Sequence, residues 1–546
     1  MNALAWCGTV VLLGAASPGI QPTAARVAAP DPGTSPLWGD LRAGPHRPGY
    51  ASRGIRDATR PLTGDDPSGG YPLVLHYWYP AAPAASSTTM TFAHYHARDA
   101  VDAGLGVATP EAIASADQEL KAFYERPFNF PFGAIEAELW ARVGPTALAA
   151  VADAPPAPGR FPLVVGVGDA SGNAVIAEYL ASHGYVVALV SSPAQLDLAP
   201  AARMEWYVRD IELALATMRE LPSVDAGRIA TWGFSFAGMP ALLAAMRSPA
   251  VDAVASFESA IFYPQYAPQL RGNPFYDAAR LRVPFLHMMR APESARNEQL
   301  DGFEALRYST RHQYLLHDTA LVHQDFGTHG MVAAVVLGKR PAALAAARTA
   351  QRANAEYLRH FLDATLRGDR AAADWLARAP QANGFPVGSV SLESRPARPP
   401  APTAREFVAL VRRDGIAPAL ARFHEARRAD PEAALFQERT INALGYELLR
   451  SARAGDAVAV FTVNTELYPS SANTFDSLSE AYEAAGDSAR AVGAARSALE
   501  VVEREPGTDS PAKQALRRRA RDRVARLSAR TGSLPDPLPR QRGDLA

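Results

Sequence analysis

The sequence predicts an α/β fold, a doubly wound and mostly parallel sheet, followed by a small all-helical domain. Apolar runs of strand length alternate with helical segments over the larger, N-terminal part of the chain. A Pro-rich segment, Pro396 to Pro402, is followed only by helical patterns. With 546 residues, 48% of them hydrophobic and 20% charged, the chain is long enough for two folded units.

The first 70 residues contain two predicted segments. Residues 1–25 begin with an apolar run, Leu4 to Ala16, which is too short to span a bilayer and is followed by small residues. This pattern is typical of a secretory signal peptide or leader and predicts a secreted or periplasmic protein. Residues 26–70 are rich in Pro, Gly and Arg and show little periodicity, so we expect an extended, loop-like arm.

Residues 71–395 are predicted to form the α/β domain. Tyr71 to Tyr79 is β-branched and aromatic, as strands are. Phe161 to Val167 and Tyr185 to Val190 are continuous apolar runs with a helical segment between them, a pattern that predicts buried parallel strands. Residues 110–151 have helical spacing, and we expect either an inserted flap near a site or a plain pair of packing helices. The alternation continues with predicted strands at 228–232, 251–257, 283–289 and 314–317 and helices at 205–221, 239–246 and 341–366.

A linker over residues 396–402 leads into a predicted helical domain over residues 403–530. Ala457 and Ala491 lie 34 residues apart, and each follows a helix that ends in a glycine. This period and the packing residues around it resemble the tetratricopeptide repeat. The resemblance implies stacked helix pairs, flanked by helices at 405–428 and 511–530, with a protein or peptide as partner. Residues 531–546 are predicted to be a disordered tail.

Composition excludes several function classes. The formal net charge of −1 gives no reason to expect a nucleic-acid partner, and no integral membrane segment is expected. The single cysteine, Cys7, excludes an intrachain disulfide framework and a cysteine-rich metal site. Neither a phosphate-binding Gly-rich loop nor a His-Glu-x-x-His pair is present, so neither metal nor cofactor is expected. In the Arg-rich helix 511–530 an apolar stripe favours a capping role over binding of nucleic acid or membrane.

One turn carries the pattern of a nucleophilic serine. Residues 232–238 read Trp-Gly-Phe-Ser-Phe-Ala-Gly and join an apolar strand to a helix. A serine on such a tight turn is exposed, and the turn requires small residues two positions before and after it, here Gly233 and Ala237. The N-terminus of the following helix points its N–H groups at the site. We therefore predict Ser235 as the nucleophile rather than an ordinary turn residue.

A serine of ordinary acidity needs a base, and His323 is the predicted one. Where a serine occupies such a strand-to-helix turn, the catalytic residues follow one another along the chain in the order Ser, acid, His. His323 lies in the loop after the last predicted strand, which is the position of the base. His287 falls inside an apolar strand, His312 and His317 fall at a strand, and His360 falls in the closing helix, so structural roles fit these four better.

The acid that orients the base has two candidate positions. Glu258 directly follows the predicted strand after the Ser235 turn, where a lone carboxyl group is costly unless it is paired, and it is our choice. The usual position, after the next-to-last strand, offers Glu293, Glu298 and the main alternative, Asp301.

Four segments together resemble the branch of the α/β-hydrolases that contains dienelactone hydrolases and platelet-activating-factor acetylhydrolases: residues 161–165, 179–187, 232–238 and 323–326. The resemblance covers about residues 71–379 and implies an α/β-hydrolase fold and a small-molecule ester substrate. It places the acid of the acetylhydrolases at Glu258, although that residue is typically Asp. It implies an oxyanion hole formed by the amides of Phe236 and Asp169, and the Asp169 carboxylate must then point away from the oxyanion.

Three functions remain open at this point. The first is a serine esterase in which Ser235 attacks a carboxylic ester and an acyl-enzyme forms. The second is a hydrolase-fold protein without turnover that binds a peptide or protein on its helical repeats. The third is a serine peptidase or amidase, because the same residues serve amide and ester carbonyls.

Overall fold

The computed structural model describes residues 35–60, 70–82, 87–103, 114, 118, 139–191, 198–259, 261, 263, 266–291, 302–338, 341–399, 402–431, 436–504 and 510–531. The predicted leader, the predicted tail and most of the predicted insertion 110–151 lie outside these residues.

The chain divides into two compact units. The first, here called the sheet unit, comprises Met1–Tyr276, Val283–Gly302 and His312–Glu393. The second, the helical unit, comprises Asp277–Arg282, Phe303–Arg311 and Ser394–Ala546. The main change of unit therefore falls at residues 393 and 394, and two short segments from the predicted α/β range belong to the helical unit.

An eleven-stranded sheet runs in the order β11-β10-β9-β8-β7-β5-β6-β2-β1-β4-β3. Its strands are β1 Arg47–Asp57, β2 Tyr71–Ala81, β3 Thr89–Thr91, β4 Ala147–Ala152, β5 Phe161–Val167, β6 Val186–Ser191, β7 Val224–Phe234, β8 Ala253–Phe257, β9 Phe285–Arg290, β10 Arg311–Leu316 and β11 Val390–Arg395.

The centre of the sheet is parallel. β5 pairs in parallel with β6 and with β7, β7 with β8, and β8 with β9. β2 is antiparallel to both of its neighbours, β1 and β6. Because β5 is buried along its whole length, its continuous apolar sequence satisfies both faces of the sheet. The α/β-hydrolase fold predicted from the sequence, with an all-helical region after it, is confirmed.

Helices cover this sheet, and one of them is completely buried. This helix, α3 Ala170–Ser182, has all thirteen residues buried, including Glu178, whose carboxylate accepts hydrogen bonds from the side chains of Trp38 and Tyr95 and the amides of Ala149 and Ala150. Among the described residues, the helices named up to the end of the sheet unit are α1 Phe92–Ala103, α2 Leu139–Val143, α3 Ala170–Ser182, α4 Pro200–Met218, α5 Gly238–Arg247, α6 Ala267–Arg271, α7 Thr328–Met331, α8 Leu344–Leu366 and α9 Arg370–Ala377.

Two strands, β1 and β4, lie where the sequence predicts other structure. Part of the expected loop-like arm is β1, which pairs with β2 over eleven residues. The end of the expected helical insertion is β4, because its alanine-rich segment pairs with β1 and β3 and two of its amides donate to Glu178. Tertiary pairing here overrides the helix preference of alanine.

The helical unit contains two successive helix pairs with a 34-residue repeat. α12 Glu438–Arg450 and α14 Ala472–Ala484 begin 34 residues apart, as do α13 Ala454–Leu467 and α15 Ser488–Arg504. A Cβ atom on Gly445 in α12 would lie 2.4 Å from the ring of Phe461 in α13, so the small residue lets this pair pack closely. The helices of the unit are α10 Ala404–Asp414, α11 Ile416–Ala429, α12 Glu438–Arg450, α13 Ala454–Leu467, α14 Ala472–Ala484, α15 Ser488–Arg504 and α16 Pro511–Thr531.

Two predicted features of the helical unit differ from the structure in detail. The single helix expected at 405–428 is two helices, α10 and α11, separated by Gly415 at φ +88°. In α16, Arg519, Arg523 and Arg526 form ion pairs with acidic residues of α14, so these arginines hold the helix against its neighbour. Within the described part of the chain, no helix is both long and apolar enough to cross a membrane.

Candidate active site

Ser235 lies at the carboxyl end of β7 in a strained backbone conformation. Its φ is +57°, a left-handed value that costs a non-glycine residue on the order of 1 kcal/mol. A Cβ atom on Gly233 would lie 2.2 Å from the carbonyl oxygen of Ala237, so the turn closes only with glycine there. A Cβ atom on Gly238 would lie 2.2 Å from Ser259 Oγ, which shows how closely α5 begins against the chain after β8. The geometry is that of a nucleophile elbow.

The two predicted oxyanion donors lie at helix starts. Phe236 belongs to the 3-10 turn Ser235–Ala237 that leads into α5. Asp169 caps α3, and its carboxylate accepts the amide of Gly172 at 2.6 Å. The carboxylate is therefore directed at its own helix, as the oxyanion role requires.

The amides of the loop after β5 are mostly occupied. Gly168 donates to the carbonyl of Val190, while Ala170 and Ser171 donate to the two carboxylate oxygens of Asp99 at 2.6 and 3.0 Å. Among the amides of residues 168–172, that of Asp169 alone has no acceptor on another residue that the structure describes. This supports Asp169 as the second donor.

Asp169 is held in its charged form. Desolvation opposes the charge even though half of the side chain is exposed, but His329, whose Nε2 lies 3.8 Å from Asp169 Oδ2, and the amide of Gly172 lower the pKa of Asp169 to about 2. The carboxylate is thus ionised at neutral pH and serves the N-terminus of α3.

His323 lies beside the elbow. It opens the 3-10 turn His323–Phe326, and its ring stacks on Phe234, the residue before the nucleophile, with 4.7 Å between ring centroids. Burial, followed by the charge of Arg290, lowers the pKa of His323 to about 4, so the imidazole is neutral at neutral pH and can accept a proton. No hydrogen bond joins Ser235 Oγ to this ring among the described residues; such bonds often form only with substrate.

Asp325 fixes the turn that carries the histidine. Its carboxylate accepts the amide of Val322 at 2.8 Å, and its carbonyl accepts Asn354 Nδ2 at 3.4 Å. These contacts hold the turn to its own start and to α8.

Glu258 is at the expected strand end, but its partners differ from the prediction. It is 1% exposed, and its oxygens accept the Tyr263 hydroxyl at 3.1 Å, the Arg290 amide at 2.9 Å and Arg290 Nε at 3.1 Å. Burial raises the pKa of Glu258, and Arg290 opposes the rise. No hydrogen bond joins Glu258 to His323 among the described residues, because the long side chain folds onto the end of β9. The structure therefore does not bring the predicted acid and base together directly, and the role of Glu258 as the orienting acid stays a prediction.

The alternative acids Glu293, Glu298 and Asp301 lie outside the described residues. Three of the other histidines have structural partners. His287 is fully buried and bonds Ser256 Oγ, His317 bonds Ser391 Oγ, and His360 stacks on Trp375.

Three residues of the site were missed by the sequence analysis. Asp99 on α1 and Tyr263 carried no pattern that distinguishes them. Arg290 could have been found, because a basic residue at the end of an apolar strand is the expected partner of an acid at the end of a neighbouring strand. No group of three or more His, Cys, Asp or Glu side chains arranged for a metal ion is present in the described ranges.

Comparisons with known proteins find similar chains among solved structures. No protein-family model matches the sequence, and no curated protein matches it. Among solved structures, a ferulic acid esterase from Streptomyces cinnamoneus is similar with a TM-score of 0.45 and 20% identity, covering 65% of this chain and 98% of the esterase. At this identity the similarity says nothing of catalytic residues or substrate.

Proposed function

We propose that this protein is a serine hydrolase that cleaves a carboxylic ester through an acyl-enzyme. The left-handed backbone of Ser235 supports this most directly, because it is retained against its energetic cost on a turn that presents the hydroxyl at the carboxyl edge of the sheet. The neutral imidazole of His323 stacked on Phe234 is the neighbouring base.

The residues take the following roles in the reaction. His323 accepts the proton of Ser235 Oγ as the oxygen attacks the ester carbonyl, and the amides of Phe236 and Asp169 stabilise the oxyanion. The imidazolium returns the proton to the departing alcohol, which leaves an acyl group on Ser235. Water, activated by His323, then attacks the acyl carbonyl and releases the acid.

Replacement of the nucleophile tests this function. Ser235→Ala should lose labelling by a fluorophosphonate probe and at least about 10⁴-fold of the rate with 4-nitrophenyl acetate, because no other group can form the acyl bond. Ser248→Ala, at the end of the same helix, is the matched control and should retain both. Equal labelling of wild type and Ser235→Ala would contradict the proposal.

The helical unit has a candidate surface for a partner. A cavity of about 600 Å³ is lined by residues of α12 and α14, among them Glu438, Asn442, Tyr446 and Asn473. The asparagine, glutamate and tyrosine side chains that line it and the 34-residue helix repeat support a tetratricopeptide-like unit that binds a peptide or protein. Binding of a peptide library to the full chain, compared with Tyr446→Ala, tests this.

We propose in addition that residues 1–25 are a signal peptide and that the mature protein is secreted or periplasmic. N-terminal sequencing of the protein recovered from its native host tests the cleavage, and an intact Met1 would contradict it.

A further inference from the structure

Glu258 and Arg290 form a pair at the ends of two neighbouring strands. β8 and β9 lie side by side and parallel, so the residue after β8 and the last residue of β9 meet at the carboxyl edge of the sheet. Glu258 has a left-handed φ of +44°, and its carboxylate accepts both the amide and the Nε of Arg290. The acid is 1% exposed, whereas the arginine side chain is 38% exposed. The pair therefore has a buried carboxylate and a partly exposed guanidinium.

Arg290 also contacts the segment that carries the histidine. Its Nη1 donates to the carbonyl of Leu321 at 3.4 Å, two residues before His323. Leu321 is 5% exposed and Val322 begins the turn that Asp325 closes, so a displacement at Leu321 is passed on to the imidazole. One guanidinium thus joins the end of β8, the end of β9 and the histidine turn.

We infer that Arg290 is a positioning residue of the proposed reaction: anchored by Glu258, it fixes the turn of His323 and places a cation, where the predicted carboxylate was expected, beside that imidazole. This inference rests on the proposed serine hydrolase function. It assigns Glu258 an indirect role through Arg290 in place of direct orientation of the histidine.

The charged and titratable groups around His323 are few among the described residues. Arg290 approaches from β9, Asp325 lies in the same turn with its carboxylate on the Val322 amide, and the Ser235 hydroxyl lies at the elbow. Glu258 lies behind Arg290. Arg290 disfavours the imidazolium, and Glu258 weakens that effect by offsetting the arginine charge.

The two members of the pair therefore affect His323 in opposite directions. Without the cation the imidazole binds a proton more readily, so its pKa rises and the neutral, reactive form is lost at a higher pH. Without the carboxylate the cation is uncompensated, so the pKa falls and the reactive form persists to a lower pH. A carboxylate that bonds His323 directly would stabilise the imidazolium, and its loss would also remove most of the rate.

The rate of fluorophosphonate labelling as a function of pH tests this on the full chain without knowledge of the substrate. In the profile of labelling rate against pH, the rate falls at low pH as His323 becomes protonated, and this fall is the acidic limb. Arg290→Gln should move the acidic limb to higher pH by roughly one unit, and Glu258→Gln should move it to lower pH. Arg290→Lys keeps the charge but loses the fork, so the limb should stay in place while the maximal rate falls. Tyr263→Phe removes a hydrogen bond to the same carboxylate without changing charge, and its limb should also stay.

The outcomes separate this inference from the proposed function. A uniform loss of about 10⁴-fold in Glu258→Gln, without a shift of the limb, would make Glu258 the orienting acid and overturn the inference. Unshifted limbs in both Arg290→Gln and Glu258→Gln would also overturn it. Failure of wild type to label would instead refute the serine hydrolase, whatever the pair does. Circular dichroism of each variant confirms that it is folded.

Discussion

Both units contain an arginine bound to buried acid, and the two arginines differ in what surrounds them. In the helical unit, Arg523 is nearly buried and its three nitrogens bond Asp476, Glu480 and Glu483 of α14. In the sheet unit, Arg290 is partly exposed and bonds one carboxylate and one carbonyl beside an imidazole. The first arginine is satisfied by one neighbouring helix, whereas the second joins three segments at a sheet edge.

Ion pairing alone therefore does not indicate a functional site. Structural networks use the same residue types with equal or better geometry. What distinguishes the sheet edge is backbone strain, since two of the four described non-glycine residues with positive φ, Ser235 and Glu258, follow adjacent strands there. Strain is retained where neighbouring structure and function require it.

The largest effect on stability is expected from Arg523→Ala. Loss of the guanidinium leaves the buried Asp476 and its two acidic neighbours undercompensated, which should lower the free energy of unfolding by about 3 kcal/mol. Urea unfolding of the full chain measures this, and Arg521→Ala, whose side chain is 66% exposed, is the matched control with little expected change. A shift of the acidic limb of the labelling profile in Arg523→Ala would contradict a purely structural role for Arg523.

Much of the fold was predictable because a central strand that is buried on both faces has a continuous run of apolar residues in its sequence. β5 was predicted with its observed bounds, and β6, β8 and β9 within two residues at each end. β1 was not, since a strand near the sheet edge needs few apolar residues, and its sequence Arg-Pro-Gly-Tyr-Ala-Ser-Arg-Gly-Ile-Arg-Asp shows no run. β4 reads as helix because alanine favours helix until a partner strand is known.

The candidate site divides in the same way. The elbow at Ser235 is a local pattern, since the turn itself demands the glycine at 233. The position of Glu258 was also predictable, as it follows from the end of an apolar strand. Its partner was not, because the choice between His323 and Arg290 depends on how far a glutamate side chain reaches between two strand ends.

Two glycine substitutions in the helical unit test how closely α12 packs against α13. Gly445→Ala should destabilise the helical unit by about 1–3 kcal/mol, because the new methyl group would overlap the Phe461 ring. Gly455→Ala should stabilise it by roughly 0.5–1 kcal/mol, because nothing lies within 4 Å of the added atom and alanine favours helix. Urea unfolding of the two variants measures both signs. Equal effects would contradict the close packing of α12 and α13.

The smallest effect on stability is expected from Asp169→Asn. This substitution tests whether the Asp169 carboxylate stabilises the N-terminus of α3, as the acidic residues of α14 stabilise α16 through ion pairs. The pKa of Asp169 is about 2 in the folded state, below its ordinary value of about 3.9. Its charge therefore stabilises the fold above about pH 4, and this contribution is lost as pH falls toward 2. Half of the side chain is exposed and asparagine also caps helices, so the variants should differ by less than about 1 kcal/mol at pH 7. Thermal melting between pH 7 and pH 2.5 should show the wild type losing its small advantage on acidification. His329→Gln, which removes the imidazole beside the carboxylate, should shrink that advantage, and an advantage that instead grew as pH fell would show that the carboxylate is not stabilised by folding.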